Sequence, residues 1–320
     1  MKKSTRIIVL TACVLILAGF IFCGIAIARG ADIRQMLRDG DFSINTAELN
    51  MDLGISVADG QFGGDSGYTV CTKGEKSFSA APVERLDIGW IAGSVEISAY
   101  DGEEIKVTEI ASRALAENEK LRWKLDNGVL RLRYCAPGTC NMQAKALTVL
   151  IPESLCLEGL EADVISAELT LNALSVSGEV NFDSVSGGVR ARRLVCERLT
   201  ISTVSGEAEI EGGMESLRYS STSGGMRADG LPEGCAVETD TVSGNMELRF
   251  DGCPGDIEAD STSGSVTVYL PGDVGFELDY DSVSGDLDCD FPSLREVYGG
   301  SVMFSMDVST TSGDLDIRKN

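Results

Sequence analysis

The stretch 175-SVSGEVNFDSVSGGV-189 carries Ser-Val-Ser-Gly twice, and close variants of those four letters return until the end of the chain. The glycines of the eight copies are Gly178, Gly187, Gly206, Gly224, Gly244, Gly264, Gly285 and Gly313, at steps of 9, 19, 18, 20, 20, 21 and 28 residues. A step that holds near 18 to 21 is the mark of a coil that stacks one supersecondary unit on the next. Two residues after each glycine stand Val180, Val189, Ala208, Met226, Met246, Val266, Leu287 and Leu315. Four after it stand Phe182, Ala191, Ile210, Ala228, Leu248, Val268, Cys289 and Ile317. All are apolar, and the residue between them is polar in every copy. This period of two means a strand with one buried face. Seven before the glycine the residue is again always apolar, from Leu171 to Met306. The buried parity changes at the glycine, so the motif reads as a bend with one special backbone position between two strands.

Different breakers fall midway between copies: Gly212-Gly213, 231-LPEG-234, 251-DGCPGD-256, 271-PGDVG-275 and 290-DFPSLR-295. Each turn then runs strand, Ser-Gly corner, strand, loose corner. The nine-residue first step fits as a half-turn. The expected fold class is all-β: a parallel β-solenoid, β-helix-like, of roughly seven turns. In such a coil equivalent residues stack about 4.8 Å apart. The corner serines Ser177, Ser186, Ser205, Ser223, Ser243, Ser263, Ser284 and Ser312 can each donate a hydroxyl to the next rung or to a corner carbonyl. Residues one and three before each glycine are expected to point inward or into the corner. Between them Val176, Val185, Val204, Thr222, Val242, Thr262, Val283 and Thr311 form a β-branched outward line, a candidate contact stripe.

Upstream, LDIGW, SVEISAY, EIKVTEI, LRWKL, VLRLRY and ALTVLIP alternate as strands, with Asn127-Gly128 the sharpest hairpin signal. These make a lead-in β-region, 83–165, to the repeats of 166–320. Residues 30–82, rich in Gly, Asp and Ser, read as a spacer. Ahead of it, Lys2, Lys3 and Arg6 precede 22 apolar or neutral residues, 7–28. That run is long enough to span a bilayer as one N-terminal transmembrane helix, and its length favours an uncleaved anchor over a signal peptide ending at Ala28. The domain reading is 1–29 anchor, 30–82 spacer and 83–320 repeat domain. A short basic N-terminus stays in the cytosol, which places 30–320 outside.

Charge and residue usage narrow the function. The chain has 27 basic and 50 acidic residues, and 23 against 50 beyond residue 29, a net −27 there. Repulsion from phosphates argues against nucleic acid as a partner. There is no histidine, which removes the usual neutral-pH base and the His-activated nucleophiles. The acidic pairs Glu207/Glu209, Asp286/Asp288 and Asp314/Asp316 recur at equivalent positions instead of converging as a glycosidase pair would. They read as a solvated face whose repulsion is expected to be relieved in part by Arg190, Arg227, lysine or ions. Asp251, Asp256, Asp273 and Asp290 at the loose corners do not reproduce a calcium-binding nonapeptide. No catalytic, cofactor or metal site is expected. Cys135 and Cys140 could close a tight loop. Cys235 and Cys253, one turn apart, could bridge two rungs or pack.

The membrane segment, the spacer, the opening VERLDIGWIAGSVEI (83–97) and the repeated SVSGDL and TTSGDL elements together resemble a bacterial adhesin-like family of β-strand-repeat proteins, a domain of unknown function. The resemblance covers about residues 83–320. It implies a degenerate β-helix displayed at the bacterial envelope, without a catalytic motif to carry over. The expected protein is therefore a non-enzymatic, single-pass bacterial cell-membrane protein. Its partners would be the membrane, through residues 7–28, and a surface protein or glycan. The alternatives are an envelope-stress accessory protein and a β-helix polysaccharide hydrolase or lyase.

Overall fold

A computed structural model describes residues 62–320 apart from 65–66, 138, 140–142, 295–296 and 300. The anchor at 7–28 and most of the spacer lie outside the described residues. The lead-in region holds β1 (Thr69–Val70), β2 (Glu75–Ser79), β3 (Arg85–Tyr100), β4 (Glu104–Ala111), β5 (Arg122–Asp126), β6 (Val129–Arg133) and β7 (Lys145–Pro152). The repeats continue with β8 (Leu157–Asn172), β9 (Val176–Ser184), β10 (Val189–Thr203), β11 (Ala208–Ser221), β12 (Met226–Leu231), β13 (Ala236–Thr241), β14 (Met246–Phe250), β15 (Ile257–Ser261) and β16 (Val266–Leu270). The last are β17 (Phe276–Ser282), β18 (Leu287–Cys289), β19 (Ser293–Leu294), β20 (Val297–Tyr298), β21 (Phe304–Thr310) and β22 (Leu315–Lys319). All belong to one hydrogen-bonded sheet. No helix among the described residues is long and apolar enough to cross a membrane.

The sheet folds into two parallel columns. Strands that lead into a Ser-Gly bend stack as β9, β10, β11, β13 and β15, with Leu199 on Val180, Leu217 on Leu199, Val237 on Leu217 and Ile257 on Val237. Strands that leave a bend stack as β10, β11, β12, β14 and β16, with Val189, Ala208, Met226, Met246 and Val266 in register. The apolar positions before and after the bend are buried along both columns and form one continuous core. β8 and β3 extend the columns upstream, and β3 lies on β6 with one half and on β7 with the other. There the parallel pattern ends. β4 pairs antiparallel with β7 and β2 with β4, while β5 pairs antiparallel with β6 and β1 with β5. Asn127 and Gly128, at φ 50° and 77°, make the two-residue turn between β5 and β6. Thus β1 and β2, within the stretch read as spacer, are sheet strands. Phe78 is their buried anchor.

At the other end the order of the rungs departs from the order of the chain. β15 pairs with β21 and β16 with β22, while β17 and β18 lie on the far side of that same pair. The last repeat is therefore inserted between its two predecessors. The 28-residue step to Gly313 carries the return path, including the antiparallel β19–β20 pair, which also caps the start of β17. Phe276 anchors this end, stacked with Tyr298 and Phe304 and edge-on to Phe291 at centroid distances of 5.4 to 5.5 Å. Composition explains the swap. The inserted rung offers Met306, Val308, Leu315 and Ile317 to the core, all buried. The outer rung offers Tyr280 and Cys289 at the matching places, and its Leu287 is 37% exposed. A polar outermost repeat is what a stacked array needs at its end.

Candidate interaction surface

The bend is built from the residue three before the glycine. The N–H of Gly187 donates to Ser184 Oγ at 2.7 Å, and the same contact recurs from Gly206 to Thr203, Gly224 to Ser221, Gly264 to Ser261 and Gly285 to Ser282 at 2.7 to 2.8 Å. The hydroxyl also donates to the glycine carbonyl at Ser184 and Thr310, at 2.8 and 2.7 Å. A local side-chain turn thus replaces the strand ladder for three residues. These hydroxyls are mostly buried, whereas the serines one before the glycine are exposed. The bend lies between the two positions, so they do not share a face.

Each exposed serine reaches back one rung. Ser223 donates both its N–H, at 2.9 Å, and its hydroxyl, at 3.2 Å, to the carbonyl of Val204. Ser243 does the same to Thr222, and Ser263 to Val242. Ser205 reaches Val185, Ser186 reaches Ile165, Ser284 reaches Thr311 and Ser312 reaches Thr262. The order of the last two follows the swapped rungs.

The glycine requirement is steric. None of the eight motif glycines has a positive φ, so the special backbone position expected from sequence is not what selects them. A Cβ on Gly244 would instead run into the carbonyl of Gly224, one on Gly264 into Gly244, one on Gly313 into Gly264 and one on Gly285 into Gly313. The bends stack glycine on glycine.

The first copy stands apart. Gly178 and Ser177 lie inside β9, and Val176, 2% exposed, is in the core. Ser177 donates to Leu157 O at 3.3 Å. The bridge from Ser175 to Val195 puts this copy at the loose corner. The other stripe residues do form a line. Val185, Val204, Thr222 and Val242 are half-buried, Thr262 and Thr311 are exposed, and Val283 on the outermost rung is 82% exposed.

The acidic face is partly neutralised between rungs. Arg190 meets Glu209 at 2.6 Å, Arg218 meets Glu238 at 3.0 Å, and Arg318 gathers Asp288, Asp290 and Asp316 within 3.5 Å. The loose-corner aspartates do not converge. Asp256 accepts from Ser305 N and Oγ, which holds its carboxyl below the usual range, while Asp290 faces Arg318 and the Lys319 N–H. Cys235, Cys253 and Cys135 are unbridged, and Cys140 lies outside the described residues. Burial pushes the thiols of Cys196 and Cys235 up to about 11 and about 12, so both stay protonated and unreactive at neutral pH.

One cluster had no signal in the sequence. Lys145 and Glu109, with side chains 1% and 2% exposed, pair at 2.7 Å beneath the lead-in region. The Lys145 ammonium also donates to the carbonyls of Glu119 and Tyr134 and sits 3.8 Å from the Tyr134 ring centre. Glu109 accepts from the Leu121 N–H at 3.0 Å. Desolvation lowers the lysine pKa and the Glu109 contact opposes it. Every donor is satisfied internally, which makes this a clasp holding β4, β7 and the 117–121 turn together. Its members are 36 residues apart and lie in strands of ordinary alternation, so spacing could not reveal them.

Among solved structures, an adhesin candidate from Bacteroides fragilis is 11% identical, with 76% of this chain and 95% of that one covered at a TM-score of 0.46. A candidate cell adhesion protein from Clostridium sporogenes is 14% identical, covering 77% and 99% at 0.23. A candidate lipid binding protein from Parabacteroides distasonis is 14% identical, covering 75% and 95% at 0.36. Such values transfer neither residue roles nor ligands. A search of curated proteins returns no match. The family profile of Toastrack DUF4097 matches residues 83–318, from the first long strand through the inserted final rung. The chain belongs to the Toastrack DUF4097 family.

Proposed function

We propose that this chain is a non-catalytic interaction module of the bacterial cell surface, a Ser-Gly-cornered solenoid held at the membrane by residues 7–28 and binding a surface glycan or protein outside the cell. The observation that carries the reading is the line from Val185 to Thr311, one β-branched residue per rung, with an exposed serine beside each. A ligand with its own repeat can meet such a line at several rungs together, and affinity then grows by effective concentration. The thiols suppressed by burial and the carboxylates paired between rungs suit binding better than turnover.

The test is to incubate the purified full chain with immobilised bacterial and host polysaccharides and matrix proteins, scoring both retention and shortened products. Saturable retention without shortening is expected. Shortened polymer would overturn the reading in favour of a polysaccharide-cleaving enzyme, and no retention on any surface would remove the adhesion reading.

A further inference from the structure

The basic residues are unevenly placed in this acidic chain. Residues 62–152 carry 11 basic and 12 acidic residues, whereas 251–320 carry 3 and 15. Of the seven lysines beyond residue 29, only Lys319 lies outside the lead-in region. Three of the others, Lys73, Lys76 and Lys106, line one groove of about 530 Å³ at the upstream end of the stack. There the β7–β4–β2 side of the sheet and the β6–β5–β1 side come to an end, and the groove lies between them.

The groove has a definite chemistry. Lys76 is 5.4 Å from the ring centre of Trp123 and 5.7 Å from that of Phe78, which meets Trp123 edge-on at 4.9 Å. The indole is half-buried against the groove, and the hydroxyls of Thr72 and Ser77 are among its lining. Glu75 is the one carboxylate there. None of the three lysines makes an ion pair among the described residues. Three lysines against one carboxylate, hydroxyls and an aromatic ring match a sugar that carries both hydroxyls and carboxylates. A lipid would need an exposed apolar wall, whereas Cys71 and Val107 are buried and Val70 is half-buried.

From this geometry we infer that the groove bounded by Lys73, Lys76, Lys106 and Trp123 binds an acidic oligosaccharide, its carboxylates on the lysines and a sugar ring beside the indole. The inference rests on the adhesion reading and assigns it a ligand class and a site away from the Val/Thr line. Lys76 on the edge strand β2 also discourages strand addition. That role alone predicts no ligand, so binding separates the two.

The test uses the full chain in non-ionic detergent, titrated with tetragalacturonate and followed by tryptophan fluorescence. Trp90 is fully buried and supplies a constant background, whereas Trp123 reports on the groove. A saturable change is expected, weakened by salt, with the apparent Kd raised about tenfold or more in the Lys76→Glu/Lys106→Glu chain. Maltotetraose should give no change, and Lys319→Glu, at the opposite end, should leave the titration as it was. Both groove lysines are exposed, and an unaltered thermal midpoint verifies that the double variant is folded. If it is not, competition by inorganic phosphate against tetragalacturonate on the parent chain decides, with displacement expected. Equal responses to the neutral and acidic sugars, or binding to phosphatidylglycerol vesicles in place of the oligosaccharide, would overturn the site. If immobilised polygalacturonate retains the parent and the folded double variant equally, the groove is wrong and adhesion stands. A chain that binds nothing on the wider panel loses both.

Discussion

At the scale of single residues, the repeated Ser-Gly is explained by contacts with the rung before it. Glycine is present because the preceding rung's carbonyl occupies the space of a Cβ, and serine because its N–H and hydroxyl share one carbonyl of that rung. Gly244→Ala should therefore destabilise the protein by about 1–3 kcal/mol through overpacking. Gly213→Ala, in β11 with nothing within 4 Å of the added carbon, should be neutral or gain up to about 1 kcal/mol from reduced freedom of the unfolded chain. Thermal unfolding of the pair checks this, and equal midpoints would contradict it. The repeat itself was legible in the sequence, but the reason for the glycine was not. A close approach between chains 20 residues apart and a positive φ leave the same letter. The buried clasp gives a second prediction. Lys145→Ala leaves the Glu109 carboxylate buried without its ammonium and should cost about 3–5 kcal/mol, while Glu109→Leu with Lys145→Met should restore most of it. Denaturant unfolding of both variants measures the difference, and a double variant no more stable than the single would contradict it.

Among elements, the inserted rung is the feature with the largest consequence. Among the described residues, β21 and β22 make the strand pairings that join the β15/β16 rung to the β17/β18 rung, so removing residues 304–320 should release the outer rung as well. Hydrogen exchange should then show the amides of 276–289 unprotected while those of 246–250 keep their protection. A coil stacked in chain order would leave 276–289 protected. The sequence did hold a trace of this arrangement in the 28-residue step to Gly313 and in the aromatic run of Phe291, Tyr298 and Phe304. Periodicity registers that a turn is long; it does not register where the chain returns. The lead-in strands show the same limit. Their alternation and the Asn127-Gly128 turn were readable, yet β1 and β2 were hidden in a Gly- and Ser-rich stretch, because an edge strand needs only one buried residue, here Phe78.

For the whole molecule, stacking in register brings like charges onto neighbouring rungs at the inter-strand distance. Burial pushes the carboxyls of Asp183, Asp240 and Glu161 above their ordinary range, and at Asp240 the neighbouring Asp260 adds to it. A carboxyl whose folded pKa exceeds its unfolded one stabilises the fold below that window and loses the contribution as pH rises through it. Glu119 acts oppositely. Hydrogen bonds from Arg113 hold it at about 2, and its contribution fades only as pH falls below its ordinary 4.5. The three raised groups and the net charge of −23 predict a higher Tm near pH ~5 than near pH ~8, and a higher Tm in ~0.5 M salt than in ~0.02 M. Scanning calorimetry checks both, and a Tm that falls on acidification from pH ~8 to ~5 would contradict the account. The order of rungs is tested most directly by disulfide trapping. Thr267 on β16 is in register with Asp316 on β22, and Asp316 is in register with Asp288 on β18. Oxidised chains carrying Thr267→Cys with Asp316→Cys should cross-link, as mapped by peptide mass spectrometry, because adjacent rungs lie about 4.8 Å apart. Thr267→Cys with Asp288→Cys, two rungs apart, should not. Cross-linking of the second pair and not the first would place the repeats in chain order and contradict the inserted rung.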